Sequence, residues 1–421
     1  MKSVDFLIVG GSAAGTTAAE VIRSNKPDAS IIIVTDEDQI EYSRVLLPHY
    51  IRHKVNRDQI FLKKPQWYEQ KNIVLLKRSR VKSLENSKKI VTLENGEQIK
   101  YGKLLIAIGG DVIRMKVPGS DLGNILYFRT VSDADAIIEG AKKSKKAVII
   151  GGGFIGLEFA SSFKVNGVGD ITMLVREPYY WSFKLDEDSS KALVSVLKKN
   201  GIKIVTNEDT EIFEGTDKVR AVVTKSGDRF ECDVVGIGIG IRSDLGWLAG
   251  SGIKIDKAIV TNEYLETNLP DVYAAGDCAQ FHDVIFNREH IMGNWANATS
   301  QGSAVGKTMS GERTVFETAS FYSINFFDPP TGVAGGSCSF IGVTDSDFAD
   351  ETIARGAVAE GKMTRIFIKT IDGVMRVVGA TVINDPKQVA PLTFATKNKT
   401  DISKWKGKLG DTGFDLREIN S

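Results

Sequence analysis

Cysteine is scarce in this sequence: Cys232, Cys278 and Cys338 are spread over 421 positions. No two of them form a Cys-x-x-Cys or Cys-x-x-x-x-Cys pair. A disulfide framework, a zinc site and an iron–sulfur cluster therefore lack the ligands they need, and no metal is expected. An excess of one charge is also missing. Lys and Arg number 54 against 53 Asp and Glu, a formal net charge of +1, which gives no global pull toward nucleic acid or a membrane surface. No uninterrupted apolar stretch is long enough to span a bilayer. The first apolar run is too short for a signal-peptide core, has Asp5 in the would-be basic region, and runs straight into glycines. These absences read as a cytoplasmic chain with no membrane span and no nucleic-acid partner. Low-complexity segments are missing too.

What is present is a globular composition, 42% hydrophobic and 25% charged, over a length that suggests two to three domains. The organising stretch is Asp5 to Arg23. Phe6 to Val9 reads as a buried parallel strand, Gly10 as a tight turn, and Ala13 onward as a helix of small residues packed on that strand. Exposed N–H groups and partial positive charge at such a helix start make a pyrophosphate site from Gly10, Ser12, Ala13, Ala14 and Gly15. Ser12 stands where the second glycine of Gly-x-Gly-x-x-Gly belongs. Its Cβ is small and its hydroxyl can itself bond a phosphate. In isolation the stretch also fits a glycine-rich turn in any α/β protein.

The chain repeats it. Residues 148 to 158 give strand, glycine turn and helix start again, with Gly151, Gly153 and Gly156 all in place and Phe154 and Ile155 between them. Two dinucleotide folds imply two dinucleotides, most often a flavin reduced by a nicotinamide. After the first helix, Ile31 to Val34 is a second strand ending at Asp36 and Glu37. A carboxylate there suits an adenosine ribose, with Asp36 the first choice and Glu37 the fallback. The expected fold is α/β: two Rossmann-like dinucleotide-binding domains of glutathione-reductase type plus a smaller α+β C-terminal domain. Expected boundaries are 1–116 with 246–313, then 117–245, then 314–421. The tail from Lys397, with Trp405 and Phe414 among Lys and Asp, is expected to dock on the body or on a partner.

Further motifs carry a family likeness: Leu104-Leu-Ile-Ala-Ile-Gly-Gly110, Ala274-Ala-Gly-Asp-Cys278 and Trp295-x-Asn-Ala298-x-x-Gln-Gly302. With both glycine turns they cover roughly residues 3 to 315, and the chain resembles the pyridine nucleotide–disulfide oxidoreductase superfamily. Within it, the likeness is to cysteine-free ferredoxin and rubredoxin reductases and the flavin module of assimilatory nitrite reductases. The resemblance implies FAD, held also by Arg44, Val81, Ala107, Gly109, Asp277, Trp295, Asn297 and Ala298. It implies NADH or NADPH on the second fold, with Gly238, Arg176 and Glu177 beside it. Arg176 leans toward a 2′-phosphate, while Glu177, Ser182 at the place of a second arginine, and Gly156 favour the free hydroxyl. Both nucleotides stay open.

Relatives that reduce disulfides carry a Cys pair after the first helix, and others one cysteine in the segment matching Glu41 to Leu47. Here that segment offers Ser43, and a hydroxyl cannot relay electrons as a thiolate can. The expected chemistry is flavin-only, from nicotinamide to flavin to an external acceptor such as rubredoxin, ferredoxin or a partner subunit. Alternatives are an NAD(P)H oxidase or quinone-type reductase, and an NAD(P)H-switched binding flavoprotein like apoptosis-inducing factor. His49 falls where ferredoxin reductases usually carry lysine, and a catalytic His49–Glu158 pair is expected beside the hydride path. A homodimer through the C-terminal domain is a further expectation.

Overall fold

The structure is a computed structural model that describes residues 1–327 and 334–421. It divides into two compact units. One comprises Met1–Leu46, Val55–Asp111 and Ile241–Thr318; the other comprises Leu47–Lys54, Val112–Gly240 and Ala319–Ser421.

The first unit is built on the strand Lys2–Val9, which lies parallel to Ile31–Val34 on one side and to Gln98–Ile106 on the other. Ile73–Leu76 extends the sheet beyond Ile31–Val34, and Val272–Ala274 also runs parallel to Gln98–Ile106. Leu7, Ile8, Ile33, Leu104 and Leu105 are fully buried, because helices and chain cover both faces of a parallel sheet. The antiparallel strands Val81–Glu85 and Ile90–Leu93 complete it.

Small residues let two helices, Ala13–Asn25 and Trp295–Met309, meet along their length. A Cβ on Gly302 would sit 2.4 Å from the carbonyl oxygen of Ala14, and one on Gly306 would sit 2.9 Å from Val21 Cβ. The first helix starts at the end of the first strand, so this contact brings the start of the second helix to the same place.

The second unit holds the sheet order Ile202–Thr206, Asp170–Val175, Lys146–Ile150, Val234–Ile237, Ile125–Leu126, with every pairing parallel. The helix Phe154–Val165 follows Lys146–Ile150. A separate antiparallel sheet runs Phe321–Phe326, Gly336–Gly342, Val374–Ile383, Lys362–Ile371, Glu351–Ala357, and the helix Val389–Lys397 packs on it. The α/β class is therefore as expected. The chain after Lys397 docks on its own unit. Leu409, Leu416 and Ile419 are buried, and buried Arg355 donates to the carbonyls of Leu409, Thr412 and Phe414. Among the described residues no helix is long and apolar enough to cross a membrane.

The close approach at Gly302 has a measurable consequence. A methyl there pushes the two helices apart, so Gly302→Ala lowers unfolding free energy by about 1–3 kcal/mol. Thermal melts with a flavin-release assay check it, and an unchanged melting temperature removes the account.

Candidate functional site

Local sterics fix both glycine turns. Gly10 has φ 119° and a Cβ on it would lie 2.1 Å from Ala107 O; Gly151 has φ 100° and its Cβ would lie 2.4 Å from Gly238 O. Each turn is thus pressed against a neighbouring strand end, which no residue with a Cβ permits. Gly15 and Gly156 meet the same limit one helical turn on, with hypothetical Cβ contacts of 1.9 Å to Gly10 O and 2.1 Å to Gly151 O. The middle position differs. A Cβ on Gly153 meets nothing within 4 Å, which explains why its counterpart in the first motif can be Ser12. Ser12 is the N-cap of Ala13–Asn25, yet its side chain makes no capping bond. The hydroxyl is available for a phosphate at a helix start that already favours anions.

Around the first turn, the positions singled out from the sequence gather within one unit. Gly276, at φ 84°, lies within reach of Ala14 Cβ and Ala298 Cβ, and its N–H donates to Gln301 Oε1 at 2.7 Å. Asp277 follows directly, with Gly293 against its carboxylate. Asn294 caps the helix Trp295–Met309 by accepting from Asn297 N at 2.8 Å. Asn297 Nδ2 donates to Met292 O. Arg44 forms an ion pair with Glu37, whose other carboxylate oxygen takes the Tyr42 hydroxyl at 2.6 Å. Burial pulls the guanidinium pKa down, but Tyr42, Glu37 and Asp277 outweigh it and hold it above its ordinary value. Arg44 is a permanent cation among carboxylates.

Of the two ribose candidates, Glu37 is engaged by Tyr42 and Arg44, whereas Asp36 is exposed and faces Arg80 at 4.0 Å. Val81 is buried in the core beside Leu84 and Leu93. Ala107 N–H donates to Val9 O, and Gly109 O accepts from Ser243 Oγ at 2.6 Å.

The cysteines are silent. All three are buried and unpaired; burial pushes Cys232 and Cys278 each up to about 12 and Cys338 above its usual range. They are thiols, not thiolates, at neutral pH. Ser43 plays a structural part, since its Oγ accepts from Leu46 N at 3.3 Å and caps the short turn Arg44–Leu46.

In the second unit Glu158, on the helix Phe154–Val165, forms an ion pair with Arg52 Nη1 at 2.8 Å. Arg52 is 4% exposed, and its Nε has no partner among the described residues. Arg52 follows the short helix Leu47–Ile51, which carries His49, and is a partner of Glu158 that the sequence alone did not suggest. Arg176 is largely exposed and sits 3.6 Å from the better-covered Glu177.

A family model for pyridine nucleotide-disulphide oxidoreductases matches residues 4–302. The chain belongs to this family. It is 32% identical over 312 residues to the NADH-rubredoxin oxidoreductase of Clostridium acetobutylicum, covering 74% of this chain and 76% of that protein. It is 27% identical over 405 residues to the nitrite reductase (NAD(P)H) of Bacillus subtilis, covering 96% of this chain. The chain spans only 48% of that relative's length. The solved covalent putidaredoxin reductase–putidaredoxin complex contains a chain that superposes with a TM-score of 0.90 at 25% identity, over 100% of this chain and 99% of that one.

The residues fit the flavin dinucleotide such a family member holds. Asn294 Nδ2, Asn297 Oδ1 and Gln301 Nε2 are buried at the start of Trp295–Met309 with no partner among the described residues. Three unpaired polar atoms at one helix start are costly unless a polar ligand meets them.

Two variants test the electrostatics. Arg52→Met removes a buried guanidinium that pairs with Glu158 and costs about 2–4 kcal/mol, and adding Glu158→Gln recovers part of it. Chemical denaturation of both variants decides; equal losses in both defeat the pair. Glu41 is 6% exposed, and burial, with Glu20 adding and Lys63 opposing, pushes its carboxyl from 4.5 to about 7. Folded Glu41 keeps a proton that the unfolded chain has lost. Its contribution is full below 4.5 and disappears as pH rises through about 7, a change of up to about 3 kcal/mol. Glu41→Gln removes that slope, read from unfolding free energies on either side of the window.

Proposed function

We propose that this chain takes a hydride from NADH or NADPH onto bound FAD and passes the electrons to an external redox protein of the rubredoxin or ferredoxin kind, or to a partner subunit. One observation carries the reading. Two complete dinucleotide turns occur in a chain whose thiols are all buried and protonated and whose Ser43 hydroxyl is committed to a turn. Electrons arriving from a nicotinamide then have no protein thiol to leave by. The named relatives agree: one reduces rubredoxin and another is seen bound to putidaredoxin.

The bound isoalloxazine supplies hydride acceptance and electron release; the chain supplies binding and charge. The Gly10 turn and Ser12 hold the flavin pyrophosphate, and Asp36 takes the adenosine ribose. Asp277 accepts from a ribityl hydroxyl. The helix start that carries Asn297 and Ala298 places the positive end of its dipole where the reduced ring would gather negative charge. The Gly151 turn holds the nicotinamide nucleotide, and the Arg52–Glu158 pair keeps a fixed carboxylate one helical turn along. Segments 1–116 and 246–313 form the flavin domain, 117–245 the nicotinamide domain, and 314–421 the acceptor-side domain, through which a homodimer forms. Free thiols suit a cytoplasmic site of action.

Anaerobic stopped-flow mixing of the flavin-loaded protein with NADH and separately NADPH tests this. Fast bleaching by one nucleotide, then fast reoxidation by rubredoxin or ferredoxin, is expected. Reoxidation by oxygen or a quinone alone makes the chain an oxidase or quinone reductase. Slow bleaching by both nucleotides sinks the reductase.

A further inference from the structure

The loop after the strand Asp170–Val175 folds back over the second glycine turn through two adjacent rings. Tyr180 is 1% exposed, and a Cβ on Gly152 would lie 3.0 Å from its Cε2. Trp181 is 2% exposed and has φ 60°, a conformation that large side chains rarely adopt. Its carbonyl accepts from Lys184 N and Leu185 N, so the loop closes on itself and holds that conformation. The indole meets Phe154 edge-on, with centroids 4.9 Å apart at 86°, and Phe340 of the C-terminal sheet at 5.3 Å. Phe340 in turn meets Phe154 at 5.7 Å, and Tyr322 of the same sheet stacks on it at 6.2 Å and 16°. Phe154 is the first residue of the helix that follows the Gly151 turn, and its ring is only partly covered.

We propose that Trp181 is a positioning residue for the nicotinamide nucleotide: wedged between Phe154 and Phe340, it fixes the Phe154 ring at the mouth of the Gly151–Gly156 turn, so that the C-terminal sheet sets nucleotide affinity. An aromatic pair at this spacing holds its partner's orientation as well as burying area. The same loop leaves the strand through Arg176 and Glu177, the two charged positions expected beside the nucleotide. Phe183, 63% exposed at the loop's outer edge, shows that the loop does not simply bury whatever apolar residues it has.

The inference rests on the second turn holding NAD(P)H, and the experiment separates the two. Flavin-loaded wild type, Trp181→Phe, Trp181→Ala and Phe340→Leu are titrated with NADH and NADPH, and turnover is followed with ferricyanide as acceptor. Trp181→Ala is expected to raise Kd and KM for the nucleotide roughly tenfold with a much smaller change in kcat. Flavin content stays at the wild-type level, and Trp181→Phe recovers most of the affinity. Phe340→Leu raises Kd in the same direction and serves alone if Trp181→Ala does not fold. A lowered melting temperature with wild-type Kd and KM in the variants overturns the positioning role and leaves the function standing. A wild type that binds neither nucleotide overturns both.

Discussion

A strand-end carbonyl pressed against a glycine Cα occurs at both turns, and the rest of the molecule is arranged around those two contacts. Ala107 O against Gly10 and Gly238 O against Gly151 leave no room for a Cβ. Because backbone meets backbone there, each helix begins directly at the end of its strand with the positive end of its dipole at the turn. Both proposed pyrophosphate sites follow from that geometry. The Ala13–Asn25 helix and the Trp295–Met309 helix then converge because Gly302 lets Ala14 approach, and the second helix start delivers Asn294, Asn297 and Gln301 to the first turn.

Paired charges lie near these starts. Arg44 stands with Glu37 and Asp277 acting on it, and the covered guanidinium stays charged because carboxylates outweigh its desolvation. Glu158 has Arg52 in a similarly covered setting. An ion pair of this kind does not by itself stabilise the fold much, since desolvation consumes the gain. Its effect is to fix the Glu158 carboxylate against a covered guanidinium on the helix that follows the Gly151 turn.

Much of this was legible in the sequence, because the turns are local. Strand, glycines and helix are contiguous, so Gly10, Gly15, Gly151 and Gly156 announce themselves, and a doubled motif separates a dinucleotide fold from a chance glycine turn. Asp277 and Asn297 stood out for a different reason, as members of the short motifs that carry the family likeness. Arg52 was not, because its pairing with Glu158 depends on how the short helix Leu47–Ile51 packs beside Phe154–Val165, a contact across more than a hundred residues. The docking of the tail was half legible: Trp405 and Phe414 marked it as apolar enough to bind something, but the buried Arg355 that donates to three of its carbonyls lies far upstream. Trp181 shows the other limit. Its identity is plain in the sequence, while its left-handed backbone is held by bonds within its own loop and its wedge between two rings exists only once the C-terminal sheet is in place.

That last dependence bears on how such a chain divides labour. In the first unit the glycine turn is completed by a strand of the same sheet and lined by the helix Trp295–Met309 of the same unit. In the second unit the turn is complete in sterics, yet the ring at its mouth is held by Phe340 and Tyr322, which come from another sheet and from the last quarter of the chain. A tightly retained cofactor needs a site that never opens, which close backbone contacts provide. A nucleotide that enters and leaves at each turnover needs a site whose affinity can be set without disturbing the turn itself. Side-chain rings supply that adjustment, since a ring can be retuned by its neighbours while a carbonyl pressed on a glycine cannot.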